Sequence, residues 1–594
     1  MSTLWGYFMV KIRPLQDIRV SSCVRTRHRK KLLLSILCVT LVLIILSIKL
    51  GSIMIFKSEY YLDKARQLHE RERVIKAKRG RILDTNGVVL AANKTVCTIS
   101  VIHSQIKDQN EVINVLSSEL GMDGEEIEKK VSKITAIERI KTNVDKETGD
   151  RIRQYNLDGV KVDEDYKRYY PYETLASKVL GFTGGDNQGI VGLESKYDKY
   201  LSGESGKILT LTDAWGIEIE GSEENREEPD SGMDLYTSID INIQKYAQQL
   251  AEVTLEKKQA KSVSIIVMNP QNGEILAMTN VPEYNLNEPF VLNYEVSEEQ
   301  KNTSQMALLN NMWRNFCIND TYEPGSIFKM VTATAALETK SVKLTDMYTC
   351  SGSTIVADRK IRCHKTTGHG TQDFTHTVMN SCNPAFIEWG RRVGTDRFYL
   401  YMGKLGLLSK TGIDINGEAS TIIHKQENVG EVELATMSFG QSFQITPIQM
   451  LRAAASIVNG GKLVTPHFAV KTATPDNTTV NEFTYSTDEQ SIDEDTSATM
   501  RQILKQVVSE GGGKNAYIEG YSIGGKTATS QKLPRGSGKY ISSFIGFAPA
   551  DNPQVIAMCL IDEPQGVYYG GTIAAPVIRQ LFENILPYLE ISPE

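Results

Sequence analysis

The sequence predicts a multidomain α+β protein. A single N-terminal transmembrane helix leads into an elongated mixed α/β domain, then a C-terminal domain with an antiparallel sheet covered by helices. Three observations predict this. The chain has 594 residues, too many for one compact core. An uncharged run, LLLSILCVTLVLIILSI at residues 32–48, follows a basic cluster. Beyond about residue 234, strand-like runs stand at both sequence ends with helical patterns between them, which suggests a sheet assembled from distant segments.

The basic tail spans residues 1–31. Lys11, Arg13, Arg19, Arg25, Arg27, Arg29, Lys30 and Lys31 face only Asp17 among acids. After the uncharged run Lys49 interrupts, and LGSIMIF continues the apolar character to Phe56. A helix needs about 20 residues to cross the hydrocarbon core, so residues 32–56 suffice if Lys49 snorkels to the interface. No small-x-small cleavage site follows, and an uncleaved anchor is expected rather than a removed signal peptide. The positive-inside rule keeps the tail in the cytoplasm and puts the chain beyond about Lys57 outside. A net charge of −6 gives no reason to expect nucleic-acid binding.

Residues 57–233 read as a second region. SEYYLDKARQLHERERVIKAK looks like a charged helical stalk. In RGRILDTNGVVLAANKTVCTISV, Asn86-Gly87 between two apolar runs signals a β-hairpin. A mixed stretch follows, then short helix alternating with Gly-rich loop from Arg168 to Gly203, and the acidic EIEGSEENREEPDSGMD reads as an exposed connection.

Residues 234–594 change in texture. DINIQKYAQQLAEVTLEKK has helical period, and SVSIIVMNPQNGEILAMTN reads as two strands about a turn. Near the end YSIGGKTATSQ, KYISSFIGFAPA and QVIAMCLIDEP are further strands, followed by the helix APVIRQLFENILPYL. The polar run ATPDNTTVNEFTYSTDEQSIDEDTS reads as a surface insertion.

Of eight cysteines, Cys23 and Cys38 belong to the tail and anchor. The other six would face a compartment that permits disulfides. Cys350 and Cys363 could close a short loop, although small buried hydrophobes are the plainer reading. No C-x-x-C pair exists, so no zinc or other metal site is expected, and no cofactor.

Three stretches suggest chemistry. In YEPGSIFKMV, Ser326 and Lys329 stand three residues apart at the start of an apolar helix, so one helical face can bring amine to hydroxyl. Gly325 permits a sharp entry, and free N–H groups at a helix N-terminus favour developing negative charge. Serine is a poor nucleophile until a base takes its proton, which a lysine of lowered pKa can do. In MNSCNPAFIEWG, Ser381 and Asn383 could aim a hydroxyl and an amide at one place. In GGKTATSQ, Lys526, Thr527 and Thr529 supply a cation and hydroxyls from a strand. Read singly, these are a helix cap with a snorkelling lysine, an N-cap, and an edge strand.

Together, in the order Ser-x-x-Lys, Ser-x-Asn and Lys-Thr-small, they resemble the acyl-serine transferases that include penicillin-binding proteins and serine β-lactamases. RGRILDTNGVVLA and GIVGLESKYDKYLSG resemble the pedestal motifs of class B penicillin-binding proteins, and YEPGSIFK, TGIDINGE and FGQSFQITPIQM also match that family. The wording LASKVLGFTGGDNQG is nearer the division and sporulation branch than the elongation branch.

The resemblance implies a pedestal or dimerisation-type domain at 57–233 and a penicillin-binding transpeptidase domain at 234–594. It implies D,D-transpeptidation of peptidoglycan stem peptides through an acyl-serine, blocked covalently by β-lactams. Ser326, Lys329 and Ser381 would be catalytic. Asn383, Lys526, Thr527 and Thr529 would bind substrate, with the N–H groups of Ser326 and Thr529 as oxyanion hole. A SEDS-type glycan polymerase and divisome or sporulation membrane proteins are the implied partners. One departure stands out: the family has Gly where this chain has Ala528, and local packing is expected to absorb the methyl. Cys382, inside the second motif, could form a redox latch with Cys363 or Cys350. Two other classes compete with this reading. A β-lactamase needs a water-activating base that nothing marks, and a scaffold would have lost chemistry at Ala528.

Overall fold

The computed structural model describes residues 22–61, 64, 70–135, 137–211, 225–487 and 489–593. The described residues form two units. One runs to Arg73 and includes Ile208–Arg226; the other comprises Val74–Lys207 and everything from Glu227 onward.

In the first unit the helix Ser22–Phe56 is a single 35-residue element. Its part His28–Phe56 has a mean hydropathy of 2.7 and is long and apolar enough to cross a membrane. The expected charged stalk falls partly outside the described residues. Where the chain is described again, Glu70–Ile75 is a strand and not a helix, hydrogen-bonded beside the strand Gly206–Leu211. Pairing with a neighbouring strand overrides the helical propensity of Glu and Arg there.

In the second unit the predicted hairpin forms, with Ile82–Leu83 antiparallel to Val89–Val101. Gly87 takes the left-handed turn position at φ 82°. The strand Val89–Val101 also pairs with Glu138–Asp145 and with Val160–Tyr169. On the far side, Ile82–Leu83 runs parallel to Asp234–Thr237, which pairs with Ala469–Ala473, which pairs with Thr479–Glu482. The polar run that begins at Ala473 lies largely at the surface, and within it Thr479–Glu482 forms the last strand of the seven-stranded sheet, joining late sequence to early sequence.

Buried ions explain the pedestal motifs. The Glu194 carboxylate accepts from Arg79 Nε at 2.6 Å, Arg168 Nε at 2.6 Å and the Tyr170 hydroxyl at 3.2 Å. Arg79 also reaches Asp198 at 2.6 Å, and both arginines are almost wholly buried. Tyr197, from the same motif, donates to Asp414 of TGIDINGE at 2.7 Å. Asp414 in turn accepts the backbone N–H groups of Phe468 and Ala469.

The five-stranded sheet is assembled from distant segments, as expected. Its order is Ile275–Val281, Ser262–Met268, Val555–Asp562, Tyr540–Ala548, Gly524–Gln531, every neighbour antiparallel. Alternation along SVSIIVM sends Val263, Ile265 and Val267 to one face, into a core shared with Ile243, Ala247, Leu581 and Ile585. Those residues belong to the helices Ile241–Lys258 and Ala575–Tyr588. Ile266 and Met268 face the other way, into the core that contains Phe328, Met330 and Val331. Both faces are covered, so these strands read as continuous apolar runs instead of alternating ones.

Candidate active site

Gly325–Phe328 is a 3-10 turn that passes directly into the α-helix Lys329–Glu338. The sequence suggests an α-helix from Ser326; the first turn is tighter. The Lys329 N–H donates to the Ser326 carbonyl, an i to i+3 bond, and in that geometry side chains three apart eclipse one another. The turn thus stacks the two side chains on one face. Ser326 is half-buried, while Lys329 has no exposed surface.

A glycine is required at the entry. Gly325 has φ 58°, and a Cβ there would fall 2.3 Å from Ser530 Oγ. Its N–H donates to Gly440 O at 2.9 Å, and Gly440, at φ 85°, would drive a Cβ to 2.1 Å from Gly325 O. This close approach gives FGQSFQ its part in the site. Glu323 completes the clamp by accepting from Ser442 N–H at 2.9 Å and pairing with Arg535 at 2.5 Å. Neither Glu323 nor Arg535 carries a local sequence signal of this role, because the two meet only through the fold.

The other two stretches converge on the same lysine. Lys329 Nζ donates to Asn383 Oδ1 at 2.6 Å, Ser381 O at 2.7 Å and Ser381 Oγ at 3.1 Å. It also lies 5.3 Å from the centre of the Phe386 ring. Ser381 is held at φ 49°, a left-handed conformation unusual outside glycine, which turns its carbonyl and hydroxyl toward one amine. From the strand Gly524–Gln531, Lys526 Nζ donates to Ser381 Oγ at 3.0 Å and to Thr527 O at 3.2 Å.

Two buried amines therefore meet at one hydroxyl. Burial pushes Lys329 down to about 7. Burial and then the charge of Lys329 drive Lys526 well below the usual lysine value. A free-base amine is what nucleophile activation needs near neutral pH. Strand alternation buries Lys526, Ala528 and Ser530, while Thr527 and Thr529 are half-exposed. The Thr529 hydroxyl accepts from Gly570 N–H at 3.0 Å, leaving its own proton free to donate.

Ala528 is 3% exposed and sits in the core that contains Ile327 and Phe328. Its methyl lies 3.7 Å from where a Gly325 Cβ would be, so the strand passes close to the Gly325–Phe328 turn with this methyl facing it. A cavity of about 640 Å³ lined by Lys178, Asn280, Tyr322 and Ser530 lies beside this wall, with neither Ser326 nor Lys329 on its lining.

Next to Ser381, the structure brings together residues that sequence spacing keeps apart. Cys350, Cys363 and Cys382, each a free thiol, gather with His369. The absence of a C-x-x-C pair argued against a metal centre, but that test sees only ligands close in sequence; here four possible ligands meet through the fold.

The chain matches two family models. Residues 74–237 match the penicillin-binding protein dimerisation domain and residues 263–583 the penicillin-binding protein transpeptidase domain. The chain belongs to the penicillin-binding protein transpeptidase family. It is a serine-type transpeptidase with the two-domain architecture of that family. Stage V sporulation protein D of Bacillus subtilis is 37% identical over 579 residues, covering 95% of this chain and 86% of that protein. Peptidoglycan D,D-transpeptidase FtsI of Buchnera aphidicola subsp. Baizongia pistaciae is 29% identical, covering 96% of both. In fold, penicillin-binding protein 2X from Streptococcus thermophilus matches with a TM-score of 0.72 at 22% identity, over 88% of this chain and 81% of that one. A peptidoglycan synthetase from Bifidobacterium adolescentis matches at 0.71 and 22%, over 88% and 98%.

Proposed function

We propose that this chain is a membrane-anchored peptidoglycan D,D-transpeptidase of septal or sporulation wall synthesis, working through an acyl-serine at Ser326 and inhibited covalently by β-lactams. The observation that carries the reading is the convergence of Lys329 and Lys526 on the Ser381 hydroxyl, with Lys329 directly following the Ser326 turn. The relatives named for sporulation and for D,D-transpeptidation support the substrate class.

Lys329, as free base, takes the Ser326 hydroxyl proton, and Oγ attacks the carbonyl of the penultimate D-Ala of a stem peptide. Negative charge on that oxygen is met by the N–H groups of Ser326 and Thr529. As the C–N bond breaks, the Ser381 hydroxyl, bridged to both lysines, passes its proton to the departing D-Ala amine and takes back the one held by Lys329. The amine of a neighbouring stem then attacks the acyl-serine carbonyl; Lys329 takes the amine's proton and gives it to Ser326 Oγ as the ester C–O bond breaks, which forms the cross-link and restores the free serine and the free-base lysine. Asn383 orients the donor amide, and Lys526, Thr527 and Thr529 hold the terminal carboxylate, a group suited to cation and hydroxyl donors.

The apolar helix anchors the protein with its basic tail in the cytoplasm and the transpeptidase domain outside, by the positive-inside rule. A separate SEDS-type polymerase supplies glycan strands, and divisome or sporulation membrane proteins are its neighbours. The test is release of free D-Ala from a D-Ala-D-Ala stem peptide by the detergent-solubilised chain. Wild type releases it and Ser326→Ala does not. Penicillin labelling without any D-Ala release would favour a scaffold instead.

A further inference from the structure

We propose that Cys350, Cys363, His369 and Cys382 form a closed metal site for a soft divalent cation of the zinc class, which pins the Ser381–Asn383 loop. The inference is independent of which substrate the transpeptidase takes.

The four ligand atoms lie within 4.8 Å of one another. With metal–sulfur bonds of about 2.3 Å and metal–nitrogen bonds of about 2.0 Å, a tetrahedral site needs sulfur atoms about 3.8 Å apart and sulfur about 3.5 Å from nitrogen. Cys363 Sγ stands 3.6 Å from His369 Nδ1, so one edge already has that length. The three thiols are buried at 2%, 2% and 0% exposure, and His369 is half-buried with its nitrogen turned inward.

The fold builds this cluster from four backbone segments. Cys350 ends the strand Met347–Cys350, paired with Gly370–Asp373 so that Cys350 lies opposite Gly370, next to His369. Cys363 follows the strand Arg359–Arg362, and its N–H donates to Gly352 O at 2.9 Å, closing the hairpin back onto Cys350. Gly352 (φ 93°) and Gly368 (φ 82°) allow the two loops to touch; a Cβ on Gly368 would fall 2.3 Å from Cys350 O. Cys382 is the N-cap of the helix Asn383–Val393, so it joins this knot to the catalytic loop.

Three sulfurs and an imidazole are the donor set of a structural zinc site, and hard cations such as magnesium or calcium prefer oxygen. Four protein ligands leave no open position for substrate, so the site is a brace and not a catalyst. On loading, each thiol gives its proton to solvent as its sulfur takes the metal, and no oxidant is involved. A disulfide between two of the cysteines would use only two sulfurs and leave the third thiol and the imidazole without a partner in the cluster.

The experiment uses the full chain, purified in detergent without chelator or added metal. Elemental analysis is expected to find about one zinc per chain. After chelation, Co²⁺ alone should restore stoichiometric binding, with visible ligand-field bands and thiolate charge transfer. Cys350→Ser and His369→Gln should each weaken metal retention at least about tenfold. Labelling of Ser326 by a fluorescent penicillin marks which preparations are folded. Penicillin-reactive wild-type chain without metal and without a cobalt spectrum would overturn the proposal. So would a mass lower by two hydrogens, with a disulfide between two of these three cysteines in anaerobically prepared protein.

Discussion

Lys329 and Lys526 share one hydroxyl: both ammonium nitrogens lie within hydrogen-bond reach of Ser381 Oγ, at 3.1 and 3.0 Å, with no exposed surface on either side chain. Two positive charges cannot both persist there without cost. The expected state at neutral pH keeps at least one amine unprotonated, with Ser381 as the link between them.

A pH profile follows. Burial lowers Lys329 from the usual 10.5 to about 7, so the free base is present above about pH 7 and lost below it. The second-order rate of acylation by a β-lactam should rise with pH through about 7 and then level. The unfolded chain binds more protons than the folded one between about 7 and 10.5, so this lysine makes folding stability rise with pH across that window. Lys329→Ala should cut the acylation rate about 10²–10⁴-fold and flatten the profile. A flat profile in the wild type would remove Lys329 as the base.

Ser381 separates hydroxyl from backbone. Its φ of 49° suits glycine, so Ser381→Gly should keep or raise thermal stability relative to Ser381→Ala. Both variants lose the bridge between the amines and should slow D-Ala release to a similar degree. Much greater activity in one variant would show that loop conformation, not the hydroxyl, limits the reaction.

Ala528 is buried, with its methyl turned toward Gly325. Ala528→Gly should change the acylation rate less than about threefold while costing about 1 kcal/mol of stability, from a lost buried methyl and a freer strand. A large gain in rate would show that the methyl hinders the site.

The Glu194 carboxylate neutralises two buried arginines. Glu194→Ala should destabilise the folded chain by about 3–5 kcal/mol, seen as a lower Tm, because it leaves Arg79 and Arg168 buried without their anion.

Much of this was legible in the sequence because local chemistry wrote it there. The Asn86-Gly87 turn, the two-face apolar strands around Ile265 and Cys559, and the spacing of Ser326 and Lys329 each reflect a short-range rule. What was not legible depended on tertiary pairing. Glu70–Ile75 has helix-forming residues but a strand neighbour. Thr479–Glu482 is polar yet extends a sheet begun about 400 residues earlier. His369 carries no local signal of a ligand role, because its partners Cys350 and Cys382 meet it only through folding. The tight first turn at Gly325–Phe328 is a consequence of packing against Gly440 and Ser530, which no local propensity encodes.

The most direct measurement is peptide mass mapping of the detergent-solubilised chain after brief exposure to benzylpenicillin at pH values on both sides of 7. One covalent penicilloyl group should be found, on Ser326 alone, forming faster at the higher pH and absent in Ser326→Ala. An adduct on another residue, or unchanged labelling in Ser326→Ala, would contradict the account.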